Sequence, residues 1–184
     1  MKNHYILSHG LESGPNASKI THLAGLIEAA GHSSERPDYG GGDIAARIGQ
    51  LRAQADAARI QYPGRGLILA GSSMGAYISA MVSLEVPTAA LFLMAPPVFF
   101  RGLARKKPVE TPALRMRTPI CSIVHGWRDE LIDPIEVVAF ARAYLAELVL
   151  VDDDHRLGAS MAQLESAFLA LMARIEQAGQ SHAH

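Results

Sequence analysis

Residues 71–75 read Gly-Ser-Ser-Met-Gly, with the apolar run Leu67-Ile68-Leu69-Ala70 before them and Ala-Tyr-Ile-Ser-Ala-Met after. A Gly-x-Ser-x-Gly stretch between a strand and a helix holds its serine in a sharp, strained turn, so the residues two before and two after it must be small. Gly71 and Gly75 meet that condition around Ser73. Ser72 does not, because glycine would stand one residue before it and Met74 two after. A serine hydroxyl needs a base to take its proton, and the base needs a carboxylate to orient it. Asp129 in "VHGWRDELIDP" and His155 in "VDDDHRLGA" each follow an apolar run, which gives the chain order Ser73, Asp129, His155. The chemistry expected of such a set is attack of the Ser73 Oγ on a carbonyl carbon, with His155 as general base and Asp129 as the orienting acid.

That attack leaves negative charge on the carbonyl oxygen, and backbone N–H groups are suited to receive it. The Met74 N–H opens the helix after the serine. "SHGLESGP" (8–15) ends the first strand and can aim a second N–H, that of Leu11, at the same place. His9 and His125 stand at strand ends and read as loop-shaping residues. Among the eight histidines only His155 lies between the last strand and the last helix. Each candidate has a plainer reading: Asp129 as a loop carboxylate, His155 as a solvated residue among acids. Asp133 is the rival acid, but it directly precedes Pro134 and reads as a helix cap. The run Asp152-Asp153-Asp154-His155 does not suit a metal, since consecutive aspartates point in different directions and no second histidine is near. No metal and no cofactor are expected.

The elements that must position these residues are legible from periodicity. Short apolar, β-prone runs fall at 4–8, 67–70, 88–95, 119–126 and 146–152, with a weak candidate at 32–39. Helical spacing marks 15–30, 43–61 with Asp43 as N-cap, the segment after Met74, 134–145 and 158–178. On the second helix Ile44, Ile48, Leu51, Ala55 and Ala58 share a face. Alternation of strands and helices predicts an α/β three-layer sandwich with a mainly parallel, roughly six-stranded sheet. Ligands in such sheets sit outside the carboxyl ends of the strands, where every candidate above falls.

The chain of 184 residues suits one domain, and its 49% apolar and 19% charged residues suit a globular protein. A net charge of −1 provides no field to favour nucleic acid or an anionic membrane. The lone Cys121 cannot form an internal disulfide, and "MKNHYILSHG" is too short for a signal core or a span, so a cytoplasmic location is expected. The expected partner is a small molecule, and no signal for an oligomeric state is visible. Residues 97–118 are a candidate lid carrying Arg101, Arg105, Lys106, Lys107, Arg115 and Arg117 against Glu110 alone. They read as a solvated loop or short helix, or as a basic lip that favours anionic substrates. Phe99, Phe100 and Leu103 can line an acyl pocket or pack; Trp127 beside the acid has the same two readings, and His9 is carried with them as a substrate contact. Tyr39 and Arg36 can border the cleft.

Taken together, His9-Gly10 after the first strand, Gly71 to Gly75, His125-Gly126 with Asp129, and His155 resemble the α/β-hydrolase superfamily along nearly the whole chain. The resemblance implies Ser73 as nucleophile, Asp129 as acid, His155 as base, and Leu11 and Met74 as the oxyanion hole. Three departures are visible. The chain starts at the first parallel strand without the antiparallel hairpin many members carry, so a trimmed sheet is expected. Asp133 stands where a proline often follows the acid, with Pro134 one later. No large cap domain is present. The activity expected is that of a small serine esterase or thioesterase. Acyl transfer, or cleavage of an amide, lactone or carbon–carbon bond, uses the same three residues. A binding protein without turnover is a further alternative, but it has no need of all three.

Overall fold

Strand formation follows the apolar runs. In the computed structural model, which describes residues 2–99 and 112–181, β1 (His4–Ser8), β2 (Ser33–Glu35), β3 (Leu67–Ser72), β4 (Ala90–Met94), β5 (Cys121–Gly126) and β6 (Glu147–Val151) form one sheet. Its order is β2-β1-β3-β4-β5-β6, and every neighbouring pair is parallel. Strand side chains alternate between faces, so Leu67 and Leu69 enter one core and Ile68 and Ala70 the other. A parallel sheet needs both faces covered. Helices α1 (Ser18–Ala29) and α5 (Met161–Ser181) cover one face with Ile20, Leu23, Ile27, Leu164, Phe168 and Leu171. Helices α2 (Ile44–Gln61), α3 (Met74–Val82) and α4 (Pro134–Tyr144) cover the other with Leu51, Ala55, Ile78, Val137 and Ala141. The result is the three-layer α/β/α architecture.

The strand order also decides where a cleft can form. The chain leaves β1 toward β2 on one side and returns to β3 on the other, so it winds in opposite senses from β1. A crevice opens at such a switch point, outside the carboxyl ends. Ser8 pairs with Gly71 at those ends, which sets the loop after β1 beside the turn after β3.

Several boundaries differ from expectation for local reasons. The Ala17 N–H donates to the Gly14 carbonyl at 3.0 Å, closing a turn through Pro15, so α1 starts at Ser18 rather than 15. β2 spans three residues instead of 32–39 because its only partner is β1. Asp43 and Asp133 cap α2 and α4, accepting from the Ala46 and Ile135 N–H groups at 2.8 and 2.9 Å. On α2, Leu51, Ala55 and Ala58 are buried as expected, but Arg47 is buried with them at 2% exposure. In the far half of the candidate lid, Pro112, Ala113, Arg115 and Arg117 are exposed as a solvated segment would have them, while Leu114 and Met116 are buried on the α3 side of the core and the Tyr77 hydroxyl donates to the Pro112 carbonyl at 2.9 Å. Residues 100–111, the rest of the candidate lid, lie outside the described residues, Phe100 and Leu103 among them.

One position is strained without an evident gain. Leu145 caps α4 at φ 53° with its side chain 92% exposed. Glycine adopts that left-handed conformation without the side-chain clash. Leu145→Gly is expected to stabilise the fold by about 0.5–1 kcal/mol, a rise in Tm of roughly 1–4 °C at this size, read by thermal denaturation.

Candidate active site

The turn between β3 and α3 has the geometry its residue types call for. Ser73 sits at φ 53°, ψ −118°, a sparsely populated backbone region for a side chain. Its N–H donates to the Met94 carbonyl at 2.8 Å, which ties the turn to β4. A Cβ on Gly71 would overlap the Gly75 carbonyl, and a Cβ on Gly75 would overlap the Ser8 carbonyl and stand 2.7 Å from the His9 oxygen. Those neighbours are backbone and cannot swing aside. Gly75→Ala is therefore expected to destabilise the protein by about 3 kcal/mol, seen as a fall in the urea midpoint at unchanged slope.

Ser73 is half-buried, in the turn that follows the carboxyl end of β3. His155, in the loop between β6 and α5, places Nε2 2.9 Å from the Ser73 Oγ and Nδ1 2.7 Å from the Asp129 Oδ2. A carboxylate only accepts, so Nδ1–H donates to Asp129 and Nε2 is left to accept the serine proton. The Asp129 Oδ1 accepts the N–H groups of Leu131 and Ile132, both at 2.9 Å. Burial works against its charge, but the hydrogen bonds from His155, Ile132 and Leu131 outweigh it and hold the carboxyl below the ordinary range. Asp133 spends its carboxylate on the α4 cap and takes no part.

Two loops must keep fixed spacing for this alignment. The Trp127 N–H donates to the Val151 carbonyl at 2.8 Å and the Arg128 N–H to the Asp153 carbonyl at 2.9 Å. Gly126 permits this closeness, since a Cβ there would overlap the Asp153 carbonyl oxygen and stand 2.7 Å from that of Asp154. From the other side the Lys19 Nζ of α1 donates to the Arg156 carbonyl. His125 is fully buried, its Nε2 3.2 Å from the Ile132 carbonyl and 3.6 Å from the Asp129 Oδ2. Burial holds its pKa down against the pull of Asp129, so it stands neutral beside the acid.

The loop after β1 lies against the serine turn. A Cβ on Gly10 would stand 3.5 Å from the Ser72 carbonyl oxygen and 3.7 Å from the Ser73 Cβ. The Met74 N–H opens α3 and so has no acceptor within the helix. Among the described residues neither it nor the Leu11 N–H is engaged in a hydrogen bond.

The remaining candidates scatter. His9 is 2% exposed, with Nδ1 2.7 Å from the Gly10 carbonyl and Nε2 3.5 Å from the Tyr39 N–H. That places it behind the loop, where it shapes the backbone and does not face the crevice. Tyr39 is likewise buried and corrects the expectation of a cleft-border residue: its hydroxyl bonds the Ser8 Oγ at 2.7 Å, and burial pushes the phenol up to about 12. Arg36 is exposed, 3.4 Å from the Thr21 hydroxyl of α1. Trp127 is half-exposed beside the acid loop. Phe99, with Leu131, Ile132 and Pro134, lines a cavity of about 420 Å³ next to Asp129. The charged residues that line it are acidic, Asp129, Glu130, Asp133 and Glu136, so the described residues give no support to a site for anions. Sequence reasoning missed Arg47 and Lys19 as parts of the surroundings, and named Gly126 without the close approach that requires it. Among the described residues no three His, Cys, Asp or Glu side chains are placed to hold a metal ion, and no helix is long and apolar enough to cross a membrane.

A parallel sheet with this elbow and this hydrogen-bonded trio has solved relatives. A protein from Xanthomonas campestris pv. campestris, assigned to the hydrolases of the alpha/beta superfamily, is 44% identical over 94% of this chain and 99% of its own, with a TM-score of 0.84. The chain belongs to the α/β-hydrolase superfamily. An α/β serine hydrolase without a lid, also from Xanthomonas campestris, shares the fold at 22% identity and a TM-score of 0.66, covering 95% of this chain and 83% of its own. Est1E from Butyrivibrio proteoclasticus does so at 19% and 0.74, covering 96% and 89%. No protein-family model matches the chain, and no curated protein does.

Proposed function

We propose that the protein is a serine hydrolase that cleaves a small carboxylic ester or thioester through an acyl-enzyme on Ser73. The observation that carries this reading is the unbroken relay from Asp129 through His155 to the Ser73 Oγ, at 2.7 and 2.9 Å, with the serine held at φ 53°. His155 takes the hydroxyl proton as Oγ attacks the carbonyl carbon. The tetrahedral oxyanion is received by the N–H groups of Leu11 and Met74. As the intermediate collapses, His155 gives the proton to the leaving oxygen or sulfur. Water then enters, loses a proton to His155 and releases the acid. Est1E has been solved with ferulic acid bound, so an aryl-substituted acyl group belongs in the first substrate panel here.

The test is labelling with a fluorophosphonate, followed by mass spectrometry to locate the adduct. An adduct on Ser73 that fails to form in His155→Ala is the expected result. Folded protein with no adduct on any serine would reject the reading.

A further inference from the structure

Arg47 lies on the inner face of α2 at 2% exposure, and among the described residues no carboxylate pairs with it. Its Nε donates to the Gly42 carbonyl at 2.8 Å, its Nη2 reaches the Leu11 carbonyl at 3.5 Å, and its Nη1 has no hydrogen-bond partner among the described residues. The guanidinium carbon stands 5.6 Å over the Tyr39 ring. A guanidinium keeps its charge in any protein setting. Burying one without a counter-charge is far less favourable than an apolar residue at the same place. Packing alone therefore does not account for it.

Its contacts converge on one segment. Leu11 belongs to the loop after β1, and the Tyr39 beneath the guanidinium holds that segment twice more, through the Ser8 hydroxyl and the His9 ring. We propose that Arg47 is a positioning residue for this oxyanion arm: by holding the Leu11 carbonyl it limits rotation of the backbone about Leu11, whose N–H lies in the preceding peptide with the Gly10 carbonyl that His9 holds, while its unneutralised charge favours negative charge on the oxygen the arm receives. The inference rests on the reading of Leu11 and Met74 as donors to an oxyanion formed at Ser73. The long Leu11 contact leaves room to tighten once the oxyanion appears, as catalytic contacts in unliganded sites commonly do.

Full-length wild type, Arg47→Met and Arg47→Lys would be compared on p-nitrophenyl butyrate, with competent sites counted by fluorophosphonate titration. In Arg47→Met, kcat per titrated site is expected to fall roughly 10- to 100-fold with KM changed by less than about threefold. Arg47→Lys keeps the charge and loses the planar fork, so it should recover part of that loss. A purely structural role would lower the number of titrated sites and leave the rate per site unchanged. That outcome overturns the inference and leaves the proposed function standing. If Arg47→Met does not fold, Arg47→Lys decides alone: a lower rate per site supports the assignment, an unchanged one overturns it. Absence of any adduct on wild-type Ser73 would remove the proposed function, and this inference with it.

Discussion

Alanine at position 73 is expected to reduce kcat/KM for an aryl ester by a factor of about 10⁴ to 10⁶ while leaving the fold intact. The substitution removes one oxygen, the atom 2.9 Å from the His155 Nε2, and nothing else. The backbone at φ 53° is as strained for alanine as for serine, so no relief of strain confuses the comparison. What is expected to survive is the rate that the proposed oxyanion donors, the Leu11 and Met74 N–H groups, would give to direct attack by water. Steady-state kinetics beside near-UV circular dichroism would check both halves. Activity within tenfold of wild type would take Ser73 out of the chemistry.

Asp129→Asn is expected to lower kcat by about 10⁴ with little change in KM. The carboxylate accepts the His155 Nδ1–H; a carboxamide that turns its NH₂ toward His155 forces the ring proton onto Nε2, facing Ser73. The imidazole then has no lone pair for the serine proton. The same substitution carries a pH signature. Since the folded-state pKa of Asp129 lies below its unfolded value of about 3.9, the unfolded chain binds the proton more readily. Its contribution to stability is therefore present above that unfolded value and is lost as pH falls through the folded one. Wild type should lose its stability advantage over Asp129→Asn on acidification below the ordinary carboxylate range. Urea unfolding at a series of acidic pH values measures this, and a difference that stays constant with pH would contradict it.

What the sequence made legible was local. The strands at 67–72 and 121–126 are apolar runs ended by glycine, and the elbow is a spacing rule within five residues. Ser73, Asp129 and His155 could be named because each follows a strand of a parallel sheet, and chain order then sorts them. What escaped depends on contacts between distant segments. Arg47 shares the 47, 51, 55, 58 face of α2, but its charge pointed to solvent, and only the Leu11 and Gly42 carbonyls give it an inside place. Tyr39 looked like a rim residue because the Ser8 hydroxyl that draws it inward is 31 positions away. The need for glycine at 126 exists only because the His155 loop crosses there.

The relay spans 82 positions between Ser73 and His155, and that separation has a consequence for how the protein comes into being. At ordinary translation speeds, a ribosome needs roughly 4 to 16 seconds to travel from one to the other. Throughout that interval the elbow can already be built from β1, β3 and β4, yet its serine has no base. The hydroxyl gains its hydrogen bond to His155, and with it the base of the proposed mechanism, only when β6 has been added beside β5 and the loop that Gly126 admits has closed over it. If the proposed function holds, a nascent chain is chemically silent toward its substrate until β6 is in place.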